Sequence, residues 1–422
     1  MRRQESSGTG GCCDAADGGI SPLVQDMILL QGRDRSPRRR HPWVLSGSVA
    51  QEPKGAEPGA WVRVLSNSGE VLGHGHYSPH SSIRVRLLAF GKEDPGEHLL
   101  EELLEAALAR RRDHPLLGGT DAVRLVNAEG DGLPGLVVDR FGDVVVVKFL
   151  TAGMHMRAER IAERLERLTG APHGFRRRDS SSARREGIPA DEGLLWGGAP
   201  DEVWIDERGR KYAVDFKQGQ KTGFYLDQRD SRDLVEQLAR GRRTLDVFSY
   251  TGGFSVAAAR GGAKGLVLVD SSEAALLAAS ENLARNSASC AVEVRRFDAF
   301  EALRAASAAG EKFDLLILDP PPLARSRGAV KAAARAYKDM LLHGLRCCSP
   351  SAFVMAFSCS HHIDPDLFQK IVFGAALDAG RGVRWLRTLG APADHPFSVD
   401  HPEGRYLHGC LLEVEAYEED AP

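Results

Sequence analysis

The chain has 422 residues, more than one ordinary hydrophobic core organises, so two or three domains are expected. Hydrophobic residues make up 42% and charged residues 27%, the balance of a globular protein and not of a disordered or membrane-embedded one. With a formal net charge of only −3, a nucleic-acid surface has to be a local patch.

The seven cysteines are Cys12, Cys13, Cys290, Cys347, Cys348, Cys359 and Cys410. Their number is odd, two pairs are adjacent, and none stands in a Cys-x-x-Cys arrangement. This argues against a disulfide framework and against a zinc site, so no metal is expected, and it points to a reducing cytoplasmic setting. Apolar runs such as 144–147 are strand-sized, too short for a helical membrane span. No apolar stretch follows Arg2 and Arg3 before Cys13, which argues against a secretory signal.

Residues 1–26 are rich in Gly, Ser and Asp and read as a disordered tail. From position 27 the pattern changes to short alternating strands at 27–30, 61–65, 71–77 and 83–88, with turns such as Glu57-Pro58-Gly59 between them. Residues 27–98 are therefore expected to form a small β-barrel or sandwich. Between its first two strands lies a basic run, Arg33, Arg35, Arg38, Arg39 and Arg40, followed by His41-Pro42-Trp43. Arginines beside an aromatic suit phosphate contact plus base stacking, which makes Arg38, Arg39, Arg40 and Trp43 the candidate RNA-binding residues. A solvated loop is the alternative.

Residues 99–205 read as a central α+β domain. An amphipathic helix is expected over 99–112, strands at 123–127, 136–139 and 144–149, and a second helix over 156–168. Arg140-Phe141-Gly142-Asp143 is the expected hairpin turn. The basic, serine-rich stretch from Arg176-Arg177-Arg178 to Arg184-Arg185 is expected as an exposed loop available to phosphate.

Residues 206–422 form the third unit. Strands at 244–248, 265–270, 292–297, 315–319 and 352–357 alternate with helices at 254–260, 272–286, 300–308, 330–347 and 366–379. Near-continuous apolar strands separated by helices imply a parallel sheet covered on both faces, of the α/β class. Ligands of such sheets bind at the carboxyl ends of the strands.

The candidate chemistry lies at those ends. Asp246 and Phe248 lead into Gly252-Gly253, where a strand-to-helix turn without side chains lets the backbone approach a ligand. Asp270 ends the next strand, placed for ribose hydroxyls, and Asp298 follows the third, placed for an adenine amine. Each acid could instead cap its helix. Three acids at successive strand ends, with the glycine turn, point to an adenosine-type ligand. Asp319-Pro320-Pro321-Pro322 ends the fourth strand in a stiff turn, suited to gripping the edge of a flipped base. Phe357-Ser358-Cys359-Ser360 ends the fifth. A thiolate there can add to carbon 6 of a cytosine and make carbon 5 nucleophilic, so Cys359 and Asp319 are the candidate catalytic pair; a small buried strand-end residue is the alternative for Cys359. Upstream, Lys221 through Arg232 is too dense in aromatics and charges for a connecting loop. Phe224 or Tyr225 would cover the adenine, Lys221 and Arg229 would supply positive charge, and Tyr225, Asp227 and Arg229 join the strand-end residues as candidates for holding the cofactor.

Over 27–414 the chain resembles the bacterial large-subunit ribosomal RNA cytosine-5 methyltransferases of the RlmI type. The resemblance is carried by His41-Pro42-Trp43-Val44, Glu129-Gly130-Asp131-Gly132-Leu133-Pro134-Gly135-Leu136, Asp139-Arg140-Phe141-Gly142, Lys221-Thr222-Gly223, Asp319-Pro320-Pro321, Phe357-Ser358-Cys359-Ser360, Ala393-Asp394-His395-Pro396 and Pro402-Glu403-Gly404. It implies an N-terminal PUA RNA-binding domain, a small central domain and a class I, Rossmann-like methyltransferase domain. It also implies S-adenosyl-L-methionine as methyl donor, Cys359 as nucleophile, and 23S ribosomal RNA, free or in an early assembly particle, as substrate. The chain departs from the family's pattern where Pro322-Leu323 stands in place of Lys-aromatic. A positive charge near the target base is therefore either missing or supplied by another residue such as Arg325 or Arg327, and His361-His362 replace a small residue.

Two other readings fit parts of this pattern. One is methylation of a purine nitrogen on the same fold, which needs no thiolate; the other is a non-catalytic RNA-binding ribosome-assembly factor. A monomer or homodimer without membrane association is expected in each case.

Overall fold

The computed structural model describes residues 24–324 and 326–415; Cys12, Cys13, Arg325 and most of the proposed tail lie outside them. The tail assignment is corrected at its end, because Gln25 and Asp26 already belong to the strand Gln25–Leu29. Its alternate residues Met27 and Leu29 are buried, which pins this segment to the barrel core. The six barrel strands run in the order Trp43–Leu45, Ile83–Phe90, Val71–Tyr77, Trp61–Leu65, Gln25–Leu29 and Val49–Gln51. The basic run does not stay a loop: Arg35–Arg38 forms one helical turn.

In the central domain, Phe141 pairs with Val144, so the expected four-residue turn contracts to Gly142-Asp143. Gly142 takes a left-handed φ of 54°, as a two-residue hairpin requires. The expected loop at 176–185 is also corrected. Arg176 closes the strand His173–Arg176, and Ser180–Glu186 is a helix. Asp179 caps that helix by accepting from the Ser182 N–H, and Gly187 ends it at a φ of 68°. Glu186, at the helix end, is buried and holds the barrel in place. It accepts from Ser78 Oγ at 2.7 Å and Arg86 Nη2 at 2.9 Å across the domain seam.

The boundary expected at 205/206 falls inside a strand. Trp204–Glu207 and Arg210–Ala213 make a two-stranded ribbon that leads into the last domain. There a seven-stranded sheet has the order Ala291–Arg296, Gly265–Asp270, Arg243–Val247, Phe313–Leu318, Cys348–Ser358, His408–Val414 and Val383–Leu389. The first five are parallel; the last two strands of the chain pair antiparallel. Sequence reading missed Val383–Leu389, whose residues are mostly exposed at a sheet edge and carry no apolar run.

Alternation along the inner strands produces both faces. Leu266, Leu268, Leu315 and Ile317 enter one apolar core, and Val267, Val269, Leu316 and Leu318 the other. Arg243–Val247 is joined by neighbours on both sides, one reached by a short crossover and one after the third strand, so the order reverses there. A crevice opens outside the carboxyl ends at such a reversal. Among the described residues no helix is long and apolar enough to cross a membrane.

Candidate active site

The crevice is a cavity of about 440 Å³. Its wall combines the strand ends with the segment upstream of the sheet: Tyr225, Asp227, Phe248, Gly253, Asp270, Asp319 and Cys359 all line it. Tyr406 and Leu407, from the loop before the last antiparallel strand, complete the wall.

The backbone here is under constraint. Lys221, Phe248 and Tyr250, three non-glycine residues of the wall, have φ of 55°, 64° and 46°. Left-handed conformations of large residues persist only where the surroundings over-determine them, and they cluster at functional sites. At the glycine turn the two glycines have different reasons. A Cβ on Gly252 would lie 2.9 Å from Ala279 Cβ, so this residue, at a φ of 75°, lets the following helix pack. Gly252 is thus a packing glycine and does not line the cavity, which corrects its expected role; Gly253 does line it.

Asp270 accepts at 2.9 Å from the Tyr250 N–H through one oxygen and from the Ser272 N–H through the other. The carboxylate is held in plane by the turn it faces, with lone pairs left for a ligand's hydroxyls. Asp246 sits below the turn, 1% exposed, and accepts from Ser255 Oγ at 2.6 Å. Burial pushes its carboxyl up to about 7. It supports the turn from beneath and is absent from the cavity wall. Asp298 takes the role of helix cap, accepting from the Phe300 and Glu301 N–H groups, and it too lies off the wall.

The upstream segment divides. Asp227 is buried, accepts from Tyr406 Oη at 2.6 Å and pairs with Lys221. Burial opposes its charge, but the Lys221 ammonium and the other partners hold the carboxyl below the usual carboxylate range. Lys221 Nζ also stands 4.3 Å from the centre of the Tyr225 ring. Arg229, expected to bring charge to the pocket, is fully buried elsewhere. Its Nη2 donates to Asp394 Oδ2 at 3.0 Å and to the Ala122 carbonyl at 2.7 Å, which ties the central domain to the sheet domain. Arg232 is the arginine that reaches the wall instead, clamped by Glu207 at 2.6 and 2.7 Å. Arg327 is off the wall, so in the described residues Lys221 and Arg232 supply the cavity's positive charge.

Asp319 and Cys359 share the cavity. Gln228 donates its amide to Asp319 Oδ2 at 2.9 Å. Desolvation, and then repulsion from Asp227, push the Asp319 carboxyl up to about 7. Cys359 is half-buried, and its Sγ–H donates to the Pro320 carbonyl at 3.5 Å. Burial, reinforced by the Asp319 charge, pushes the thiol up to about 12. Ser360 Oγ accepts from the Leu323 and Ala324 N–H groups at 2.9 and 3.1 Å, so the residue after the cysteine pins the chain that leaves the proline turn. Gln228 and Tyr406 went unremarked as site residues. Gln228 lies inside the dense stretch Lys221 through Arg232 and Tyr406 just after Pro402-Glu403-Gly404, but nothing local to either marks a contact with Asp319 or Asp227.

The candidate RNA surface changes most. Arg38 is paired with Asp34 at 2.7 Å and with Glu70, so its charge is largely matched. Trp43 donates Nε1–H to Glu129 at 2.9 Å and packs edge-on against His41 and His401 at a domain seam. It is not a free stacking platform. Arg39 and Arg40 remain exposed, Arg40 lying 5.0 Å from the Phe90 ring centre.

Fold and site together define a methyltransferase of the S-adenosylmethionine-dependent class carrying an N-terminal PUA-like domain. The PUA-like domain family matches residues 27–90, and the S-adenosylmethionine-dependent methyltransferase family matches 124–400. The chain is 39% identical over 391 residues to the ribosomal RNA large subunit methyltransferase I of Erwinia tasmaniensis, covering 92% of this chain and 99% of that protein. It is 38% identical to the protein of that name from Escherichia coli O139:H28, over 92% and 99%. The chain belongs to the ribosomal RNA large subunit methyltransferase I family. The same fold is seen in SMU.776, a protein solved in complex with SAH, at a TM-score of 0.81 and 22% identity, covering 93% of this chain and 100% of that one.

Proposed function

We propose that this protein methylates carbon 5 of a cytosine in large-subunit ribosomal RNA, with Cys359 as a transient covalent nucleophile. The observation that carries the reading is that Cys359 and Asp319 line one cavity with Asp270 and the glycine turn. The names of the relatives supply the RNA class.

The cavity's residues fit S-adenosylmethionine. Asp270 offers a fixed carboxylate to ribose hydroxyls, Gly253 leaves the backbone open, and Phe248 and Tyr225 offer ring faces to an adenine. When bound, the donor supplies an electrophilic methyl group. The remaining steps belong to the chain. The Cys359 proton passes to the ionised Asp319 carboxylate, and the sulfur adds to carbon 6 of the base. Asp319, which holds a proton near neutrality, gives it to N3 as the carbon 5–carbon 6 electrons shift into an enamine. Carbon 5, now nucleophilic, takes the methyl group. Asp319 takes back the N3 proton and water removes the carbon 5 proton, whose bonding pair re-forms the carbon 5–carbon 6 double bond and expels the Cys359 thiolate, which regains its proton from Asp319. The three prolines after Asp319 hold the acid still while the base is flipped in. A purine-nitrogen acceptor would have no use for the thiol.

The test is to incubate the protein with large-subunit rRNA and labelled donor and to identify the modified nucleoside by mass spectrometry. We expect 5-methylcytosine. Cys359→Ala should lower turnover at least ~1,000-fold, as removal of a nucleophile does, while calorimetry shows unchanged donor binding. Full turnover by that variant, or a methylated purine as product, would refute the reading.

A further inference from the structure

At the seam between the barrel and the last domain, His41 meets His401 and Glu403, the latter 362 residues further along the chain. His41 Nε2 lies 3.2 Å from Glu403 Oε2, and His401 Nε2 lies 3.9 Å from the same oxygen. One donor atom from each residue lies within 4.8 Å of the others. We propose that His41, His401 and Glu403 bind one divalent transition-metal ion, Zn²⁺ being the best match, and so fasten the PUA-like domain to the loop that walls the active site.

Tetrahedral zinc with bonds of about 2.0–2.1 Å places its ligand atoms about 3.3 Å apart. The observed separations bracket that spacing and close onto it with small side-chain shifts. Two imidazoles and a carboxylate are a donor set that borderline cations prefer. A second observation points the same way. His401 is 3% exposed, and both its ring nitrogens are buried without a hydrogen-bond partner. Buried polar atoms are nearly always paired, so the Nε2 orphan, 3.9 Å from the Glu403 carboxylate, calls for a partner that one ion would supply. Trp43 packs edge-on against both rings, at 5.7 and 4.6 Å between centroids, and shields the cluster. Glu129, which the Trp43 indole holds, acts electrostatically on His401 and adds negative charge beside the site.

His41 sets the cost. Its Nδ1 accepts a 3.2 Å contact from the Trp43 N–H. Ligation through Nε2 moves the ring proton to Nδ1 and gives up two long contacts, this one and the 3.2 Å Nε2–H bond to Glu403, for metal–nitrogen and metal–oxygen bonds at the same atoms. The consequence is architectural. His401 and Glu403 stand just ahead of Tyr406 and Leu407 of the cavity wall, and His41 follows the barrel's basic turn. The ion would therefore join the RNA-binding module to the catalytic wall.

The experiment uses the full chain carrying Cys12→Ser and Cys13→Ser, so that this adjacent pair does not compete while the other, Cys347 and Cys348, is buried, after treatment with a chelator. Titration with Co²⁺ is followed by its visible absorption, and Zn²⁺ affinity is measured by displacement of the cobalt. We expect saturation at one equivalent without thiolate charge-transfer bands. His401→Ala and Glu403→Gln should each weaken Zn²⁺ binding by about 100-fold, at least the effect of losing a partner that merely orients a ligand. Donor affinity should stay within about twofold, a sign that the fold is intact; Glu403→Gln keeps the side-chain shape should the alanine variant unfold. No saturable binding at one equivalent would overturn the proposal. So would unchanged Zn²⁺ affinity in a folded Glu403→Gln or His401→Ala variant, or binding seen only when Cys12 and Cys13 are present.

Discussion

Gln228 donates its side-chain amide to Asp319 Oδ2 at 2.9 Å, joining the segment ahead of the sheet to the strand-end proline turn. This bond lowers the Asp319 pKa, against the burial that raises it to about 7. Replacing Gln228 with Leu should therefore move the ionisation of Asp319 upward. The pH–rate profile of methyl transfer should show its acid-side limb shifted to higher pH, with the rate at pH 7 reduced roughly 10- to 100-fold, the worth of a bond to a charged group. A Gln228→Leu variant with the wild-type profile would show that Gln228 does not tune Asp319.

Asp246 supplies a stability prediction with a definite sign. Its folded pKa of about 7 stands above the ordinary carboxylate value of 3.8, so between those pH values the folded chain holds a proton that the unfolded chain has released. Its contribution is fully present below pH ~4 and is lost as the pH rises through about 7. Asp246→Asn removes this dependence. In thermal denaturation without donor, the fall in Tm between pH 5 and pH 8 should be smaller in the variant than in the wild type. An equal or larger fall would contradict the assignment.

Glu186 accepts from Ser78, Arg86 and the Ala152 N–H, all in a buried seam. Glu186→Ala leaves the Arg86 guanidinium without its carboxylate. Breaking one side of a buried pair costs roughly 3–5 kcal/mol. The expected result is a lower unfolding midpoint in urea and faster proteolytic separation of the barrel, both checked on the full chain.

The proposed RNA surface can be dissected by salt dependence. Arg39 and Arg40 are exposed, Arg40 with only a 3.9 Å contact to Asp400, whereas Arg38 is closely paired with Asp34 and Glu70. Each phosphate contact contributes about 0.7–0.9 to the slope of log affinity against log salt. Arg39→Ala with Arg40→Ala should lower that slope by about 1–2, while Arg38→Ala changes it less. Trp43→Ala should lower stability through the lost Glu129 bond and ring contacts. A large slope change from Arg38→Ala alone would reverse this ranking.

The reach of the amino-acid sequence follows from the range of the forces involved. The doubly covered sheet was legible because successive residues such as Val267 and Leu268 enter opposite cores, so the strand reads as an unbroken apolar run in consecutive letters. The stiffness of Asp319-Pro320-Pro321-Pro322 was legible for the same reason: proline acts on its own φ and its neighbour's. The helix Ser180–Glu186 had a local signal too, in Asp179 and Gly187, which the surrounding arginines obscured.

What no local pattern carries is the choice of partner. Arg229 and Asp394 are 165 residues apart, and Trp43 and Glu129 are 86 apart. A charged or aromatic side chain reads alike whether it will meet a ligand or another domain, because a buried polar group needs only some partner of matching chemistry. Packing decided that Arg229 holds two domains together, that Asp246 props the glycine turn from below, and that His41 meets His401 and Glu403. The chain's own letters determined the alternating strands and helices of the last domain and which residue types end its strands, because those signals are local; only the assembled domains settled which of those groups face the cavity.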